Sequence, residues 1–344
     1  MKPLLNTLYV TRDNTRLTKD GECVSVFAYG ERLIRIPLHN LESIQTFGWS
    51  ISATPELLTE CAQRGIALSQ CNPHGRLLYR ICGMSKGNVL LRRAQYRLAD
   101  STDKALDVSK LFIIAKILNA RGVLLRSRRD NSTLHALQAG ELGNICREME
   151  TLVAQAQQAG SRETLLGIEG KAAERYFQAF PLCIQNRDFS FSKRTRRPPK
   201  DPVNALLSFA YALLSNDCRS ALEAVGLDAA VGLFHQDRPG RPGLALDLME
   251  ELRAPLADRL VLTLINRRQL SPDDFLTDEQ GGVALTDDAR KLIIRHWQER
   301  KQKPITHPFL NERISIGLIP HVQARLLAQH IRNALDAYPP MFWH

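Results

Sequence analysis

The sequence predicts an α+β protein, with a small β-rich domain over residues 1–85 and a larger all-α domain over residues 86–344. Three observations lead there. Up to about residue 85, short runs rich in β-branched and aromatic residues are separated by Asp-Asn, Asp-Gly and His-Asn turns. After Gly87, apolar residues recur at intervals of three and four, and strand-like alternation largely vanishes. A chain of 344 residues is also long for one small domain and long enough to build a core in each of two.

The first strands are expected in LLNTLYV, in the run from Cys23 (CVSVFAYG), in ERLIRIPL and in LESIQTFG. Thr54 then offers an N-cap, Pro55 a first helical residue and Gly65 a stop, so one helix precedes two more strands in IALSQC and RLLYRICG. Long helices follow in NVLLRRAQYRLAD and VSKLFIIAKILNARGVLLRSRR. Between Leu276 and Leu285 the TDEQGG stretch predicts a small hairpin, before a helix capped by Thr286. The C-terminal YPPMFWH cannot continue a helix through its two prolines, and it leaves an aromatic tail to dock on a partner or on its own core.

With 46 Lys and Arg against 36 Asp and Glu, the formal net charge is +10, which favours polyanionic partners: nucleic acid first, an anionic membrane second. No run approaches the ~18 apolar residues of a membrane span. The Met-Lys-Pro start is followed by Asn6, Thr7 and Arg12 rather than a signal-peptide core. A cytoplasmic protein without a membrane partner is expected. Seven scattered cysteines with no C-x-x-C pair argue against a disulfide framework and a zinc module. The stretch 187–200, RDFSFSKRTRRPPK, holds six basic residues against one acid, and it reads as a polyanion-binding loop or as a solvated one.

The candidate chemistry lies in FHQDRPGRPGLALDLMEELR, residues 234–253. If LALDLMEELR is helical, at about 100° per residue, Asp247, Glu250 and Glu251 share one face and Leu246, Leu248, Met249 and Leu252 take the other. That acidic face is either exposed or, if it packs in a core, compensated by a cation or by arginines. His235 adds an imidazole, and one nitrogen with two or more oxygens suits magnesium or manganese better than structural zinc. In LLGIEGKAAERYF, Glu169 stands between Gly167 and Gly170 with Ala172 and Ala173 beyond. That composition predicts a helix approaching a neighbour closely with a carboxylate at the contact; the alternative is a water-facing Glu169 on a helix its glycines weaken.

LLGIEGKAAERYF, RTRRPPKDPVNALLSFAYALL and GLFHQDRPGRPGLALDLMEELR, in that order, resemble the CRISPR-associated adaptation endonuclease/integrase family of spacer acquisition, over essentially the whole chain. The resemblance implies a β-rich N-terminal domain that dimerises and a helical catalytic domain. It makes Glu169, His235 and Glu250 ligands of Mg²⁺ or Mn²⁺, with Asp247 beside them to bind a second ion or orient a ligand. It also implies cleavage of DNA by water, and integration of captured fragments into a CRISPR array through attack of a 3′-hydroxyl on a phosphodiester; a non-catalytic nucleic-acid-binding scaffold is the rival reading. Arg238 and Arg253 fall where the family places residues that approach DNA. Lys193, Arg194, Arg196 and Arg197 are expected along the duplex; Arg92, Arg93, Arg126, Arg128 and Arg129 either join them or form solvated helix faces. The implied partners are DNA (protospacer duplex and repeat), a second copy of the chain, and a small adaptation protein completing a heterohexamer. Two departures from the pattern stand out: Gly243 in place of a serine, and Arg253-Ala254-Pro255 in place of Arg-Pro.

Overall fold

The computed structural model describes residues 6–73, 75–83, 89–131 and 135–343. The chain divides into two compact units, one of Met1–Lys86 with Leu285–Gln302 and one of Gly87–Ala284 with Lys303–His344. The helix Asp287–Gln302, which follows the hairpin in the stretch the sequence reading assigns to the all-α domain, is thus counted with the first unit. The expected division between residues 85 and 86 falls in 84–88, outside the described residues.

The first unit contains β1 (Asn6–Val10), β2 (Thr15–Asp20), β3 (Cys23–Ala28), β4 (Glu31–Pro37), β5 (Leu41–Phe47), β6 (Ile51–Ala53), α1 (Pro55–Arg64), β7 (Ala67–Cys71) and β8 (Leu77–Ile81). These strands form two four-stranded sheets, ordered β4-β3-β2-β6 and β1-β5-β7-β8. Tyr29 and Gly30, at φ of 52° and 86°, make the tight turn between β3 and β4, since both positive angles match the twist of the hairpin. The Thr54 hydroxyl accepts from the Leu57 amide, and Gly65 ends α1 in a left-handed conformation. Leu17, Val24, Leu38, Ile44, Leu57 and Leu68 bury together as the core. Two strands are additions to the expected set: β2, whose TRLTKD holds a single apolar residue, and the three-residue β6.

The second unit is built from α2 (Val89–Asp100), α3 (Thr102–Asp130), α4 (Ala136–Gln157), α5 (Arg162–Ala179), α6 (Pro202–Ala224), α7 (Gly243–Glu250) and α8 (Arg259–Asn266), with a last helix at Ile319–Ile331. α3 is its spine, 29 residues long and packed on both α4 and α5. The expected hairpin is present as Phe275–Thr277 paired with Val283–Leu285, and Thr286 accepts the Ala289 amide at 3.2 Å. A second short ladder pairs Pro304–Thr306 with Arg313–Ser315, so this part is helical but not purely so. Among the described residues no helix is long and apolar enough to cross a membrane.

LALDLMEELR does not stay one helix. α7 ends at Glu250, and Arg253–Asp258 winds as a π-helical segment around Pro255, which has no amide hydrogen to donate. The C-terminal tail docks on its own unit. Tyr338 is buried with its hydroxyl on Glu251 Oε1 at 2.5 Å, the Met341 amide donates to Glu251 Oε2 at 2.8 Å, and the Trp343 amide donates to Asn119 Oδ1 at 2.8 Å.

Candidate metal site and nucleic-acid surface

His235 lies in the loop between α6 and α7, and Asp247 shapes that loop. The buried carboxylate accepts the amides of Leu233 (2.6 Å) and Phe234 (3.0 Å) on Oδ2, and the amide (2.9 Å) and ring Nδ1 (2.6 Å) of His235 on Oδ1. Three consecutive amides turned toward one carboxylate fix the backbone. The ring contact fixes the tautomer, because an Nδ1 that donates leaves Nε2 its lone pair. Arg162 at the start of α5 clamps the same loop, donating to the Phe234 carbonyl at 2.7 Å. Gly232 admits no side chain, since a Cβ there would sit 2.3 Å from the His235 carbonyl oxygen. Gly243 is constrained in the same way, with a Cβ 2.7 Å from the Ala230 oxygen, so the glycine found where a serine was expected lets α7 begin against the loop.

α7 carries Glu250 to the same place. Its side chain is 2% exposed, its Oε1 meets Arg253 Nη2 at 3.0 Å and lies 3.8 Å from His235 Nε2, and its Oε2 meets the Lys116 ammonium at 2.8 Å. Burial pushes the carboxyl pKa up, but the charges of Arg253, Lys116 and His235 outweigh it and hold the pKa below the usual range. Glu169, on α5, reaches the same ammonium through Oε1. Thus α3, α5 and α7 meet at Lys116, and the His235 loop approaches Glu250.

Among the described residues no three His, Cys, Asp or Glu side chains form a ready-made metal cage. The donors nonetheless fit a hard divalent cation. A positive group already bridges Glu169 and Glu250, and His235 Nε2 faces the Glu250 carboxylate.

The family profile described as "CRISPR associated protein Cas1" matches residues 8–299. The chain belongs to that family. It is 48% identical over 345 residues to the CRISPR-associated endonuclease Cas1 1 of Chlorobaculum tepidum, covering 100% of both chains. Among solved structures it is similar to a chain of a Cas6-RT-Cas1–Cas2 complex, with TM-score 0.83 and 25% identity, covering 100% of this chain and 36% of that one. It is also similar to a casposase bound to integration product, with TM-score 0.83 and 22% identity over 96% of this chain and 92% of the other, a likeness of fold.

In this Cas1 chain several sequence-based expectations need correcting. Gly167 and Gly170 are exposed and nothing lies within 4 Å of where a side chain would start, so they do not bring α5 close to a neighbour. Glu251 does not share a face with Asp247 and Glu250. It is buried on the far side, bonded to Tyr338, Gln323 and the Met341 amide, and burial pushes its pKa up to about 7. Arg253, expected on DNA, is spent on Glu250 and stacks over the Tyr211 ring at 5.4 Å. Arg194 is likewise turned inward, donating to Asn204 Oδ1 (2.7 Å) and Ser208 Oγ (3.0 Å) and covering the other approach to Tyr211. Both guanidinium groups hold the site together from within.

Lys193, Arg196, Arg197 and Arg238 are exposed, as are Arg93, Arg126, Arg128 and Arg129. Arg126 and Arg129 both donate to Asp130, and half-buried Arg92 donates to the Gly226 carbonyl, so these three offer less to a phosphate than the loop does. Arg196 also lines a cavity of about 40 Å³ together with Lys116, Tyr176, Tyr211, Arg253 and Asp258. Asp258 accepts the Tyr176 and Tyr211 hydroxyls at 2.8 and 2.7 Å, and burial pushes its pKa up to about 6.

The sequence reading missed Lys116 and Asp258. The signal for Lys116 was a lone lysine in IIAKIL, on a helix apolar enough to be buried, where an ammonium needs a carboxylate partner. Asp258, seven residues beyond the acidic cluster, carried no such mark.

Proposed function

We propose that this chain is a divalent-metal-dependent DNA endonuclease and integrase of CRISPR adaptation, which inserts captured DNA fragments into the repeat array by 3′-hydroxyl attack on a phosphodiester. The observation that supports the reading is that Glu169 and Glu250 share the Lys116 ammonium, while His235 Nε2 lies 3.8 Å from Glu250 Oε1. Two carboxylates and an imidazole would hold Mg²⁺ or Mn²⁺ there. Bound, the ion supplies Lewis acidity to a phosphate oxygen and steadies the charge that builds at phosphorus.

The chain's own residues do the rest. Asp247 keeps Nε2 of His235 available, and Arg253 keeps the buried Glu250 ionised. The exposed Lys193, Arg196, Arg197 and Arg238 contact phosphates without reading bases, as capture of many different fragments requires. The endonuclease name of the Chlorobaculum tepidum relative supports the reaction, and the Cas2 present in the solved complex supports a small adaptation partner. A homodimer joined to that partner in a heterohexamer, with a protospacer duplex across it, is the assembly we propose.

The test is cleavage and strand transfer on branched DNA with Mg²⁺ or Mn²⁺, comparing the parent with His235→Ala and Glu250→Gln. Both variants should lose activity by about two orders of magnitude or more, in line with removal of a ligand or its orienter. Equal activity in parent and variants would remove the site assignment. No activity in the parent on any branched substrate would favour a binding scaffold.

A further inference from the structure

The metal ligands come with a cation of their own. Lys116 sits on α3 among buried Ile113, Ile114, Ala115 and Ile117, and its ammonium touches Glu169 Oε1 and, at 2.8 Å, Glu250 Oε2. The side chains involved are 15% (Lys116), 19% (Glu169) and 2% (Glu250) exposed, so water does little to screen the contact. A carboxylate oxygen held by an ammonium cannot offer the same lone pair to a metal at 2.0 to 2.6 Å, a range typical of Mg²⁺ and Ca²⁺. A unit charge fixed at that distance also repels an incoming divalent ion.

The two carboxylates already have basic partners. Glu169 and Glu250 face Lys116, and Glu250 also faces Arg253. A divalent cation brought in beside both basic residues is repelled by each of them. Arg253 is pinned between Glu250 and the Tyr211 ring, whereas Lys116 has a flexible stem and borders the 40 Å³ cavity into which that stem can turn.

We propose that Lys116 is a built-in counterion: in the metal-free protein it holds Glu169 and Glu250 together, it must leave them for a divalent cation to bind, and it thereby sets the affinity of the site for metal. This rests on the metal-site reading given under Proposed function, and it adds a residue that opposes metal binding. Without Lys116 the carboxylates gain a free negative charge, so metal should bind more tightly while the metal-free protein should be less stable.

The experiment is Mn²⁺ titration of the DNA-free full chain, followed by calorimetry and by the electron paramagnetic resonance signal of free Mn²⁺, for the parent, Lys116→Met and Lys116→Arg. Lys116→Met should tighten Mn²⁺ binding by about tenfold or more, about 1.4 kcal/mol per tenfold, while Lys116→Arg stays near the parent. In chelator, Lys116→Met should melt below the parent, and saturating Mn²⁺ should raise its melting temperature by more than it raises the parent's. If Lys116→Met does not fold, Lys116→Gln gives the same comparison. Unchanged or weaker Mn²⁺ binding in the uncharged variant, with the parent binding normally, overturns this inference alone. Absence of Mn²⁺ binding in both parent and variant overturns the metal-site reading and this inference with it.

Discussion

Replacing Asp247 with Asn should cost both stability and metal affinity, because an amide cannot accept on both sides at once. The carboxylate receives the Leu233 and Phe234 amides on one oxygen and the His235 amide and ring on the other. If the Asn oxygen faces Leu233 and Phe234, its NH₂ faces His235; Nδ1 must then accept, which puts the ring proton on Nε2 and blocks it as a ligand. If the oxygen faces His235, two buried amides lose their acceptor. Hydrogen bonds to a charged group are worth about 1.5–3 kcal/mol each, so losing two, partly offset by no longer burying a charge, should destabilise the chain by about 3 kcal/mol. Loss of a ligand's orienting partner typically weakens metal binding by about 10- to 100-fold. Urea unfolding at pH 7 and Mn²⁺ titration read the two effects separately. A stability loss under about 1 kcal/mol together with unchanged Mn²⁺ affinity would refute the reasoning.

Asp258→Asn tests the buried acid under the cavity. Burial raises its pKa from 3.8 to about 6, so between those values the folded protein keeps a proton that the unfolded chain has released; that contribution is full below about pH 4 and is lost as pH rises through 6. The stability of Asp258→Asn relative to the parent should therefore improve by up to about 3 kcal/mol between pH 4 and pH 7, and a flat difference in chemical denaturation would contradict it. Replacing Lys193, Arg196 and Arg197 together by Gln should weaken DNA binding and reduce the slope of log affinity against log salt by up to about 2.7, at roughly 0.9 per phosphate contact. Arg194→Met should leave that slope alone and instead lower the melting temperature, since its partners are Asn204, Ser208 and the Tyr211 ring. Gly243→Ser should destabilise the chain by about 1–3 kcal/mol in thermal unfolding, because its Cβ meets backbone at 2.7 Å.

How much of this the sequence carried varied with how local each signal was. The cap, first-turn proline and terminal glycine of α1 lie within twelve residues and were readable as they stand. β2 was not, because TRLTKD exposes or half-exposes most of its side chains and owes its place to pairing with β3 and β6 on either side. At the site, His235, Glu250 and Glu169 were legible as residue types in a motif. Their surroundings were not, since periodicity gives the angle of a side chain on its own helix and says nothing of which helix it meets. The glycines flanking Glu169 looked like packing residues and turned out to face open space. Lys116 and Glu169 are 53 residues apart, and only the packing of α3 against α5 joins them.

The neighbouring pair Glu250 and Glu251 shows why that joining decides chemistry. Both are carboxylates, both are buried, and they are consecutive where α7 ends. Glu250 points to Lys116, Arg253 and His235, and those charges hold its pKa down against burial. Glu251 points to Tyr338, Gln323 and the Met341 amide, all neutral donors, and burial prevails, with a pKa up to about 7. A one-residue step around the backbone thus separates an acid kept ionised to hold a cation from one that fastens the C-terminal tail. Asn119 extends the division: one turn beyond Lys116 on α3, it donates to the Glu251 and Met341 carbonyls. The tail is therefore anchored to the two elements that carry Lys116 and Glu250, and it can hold them in register without touching the site itself.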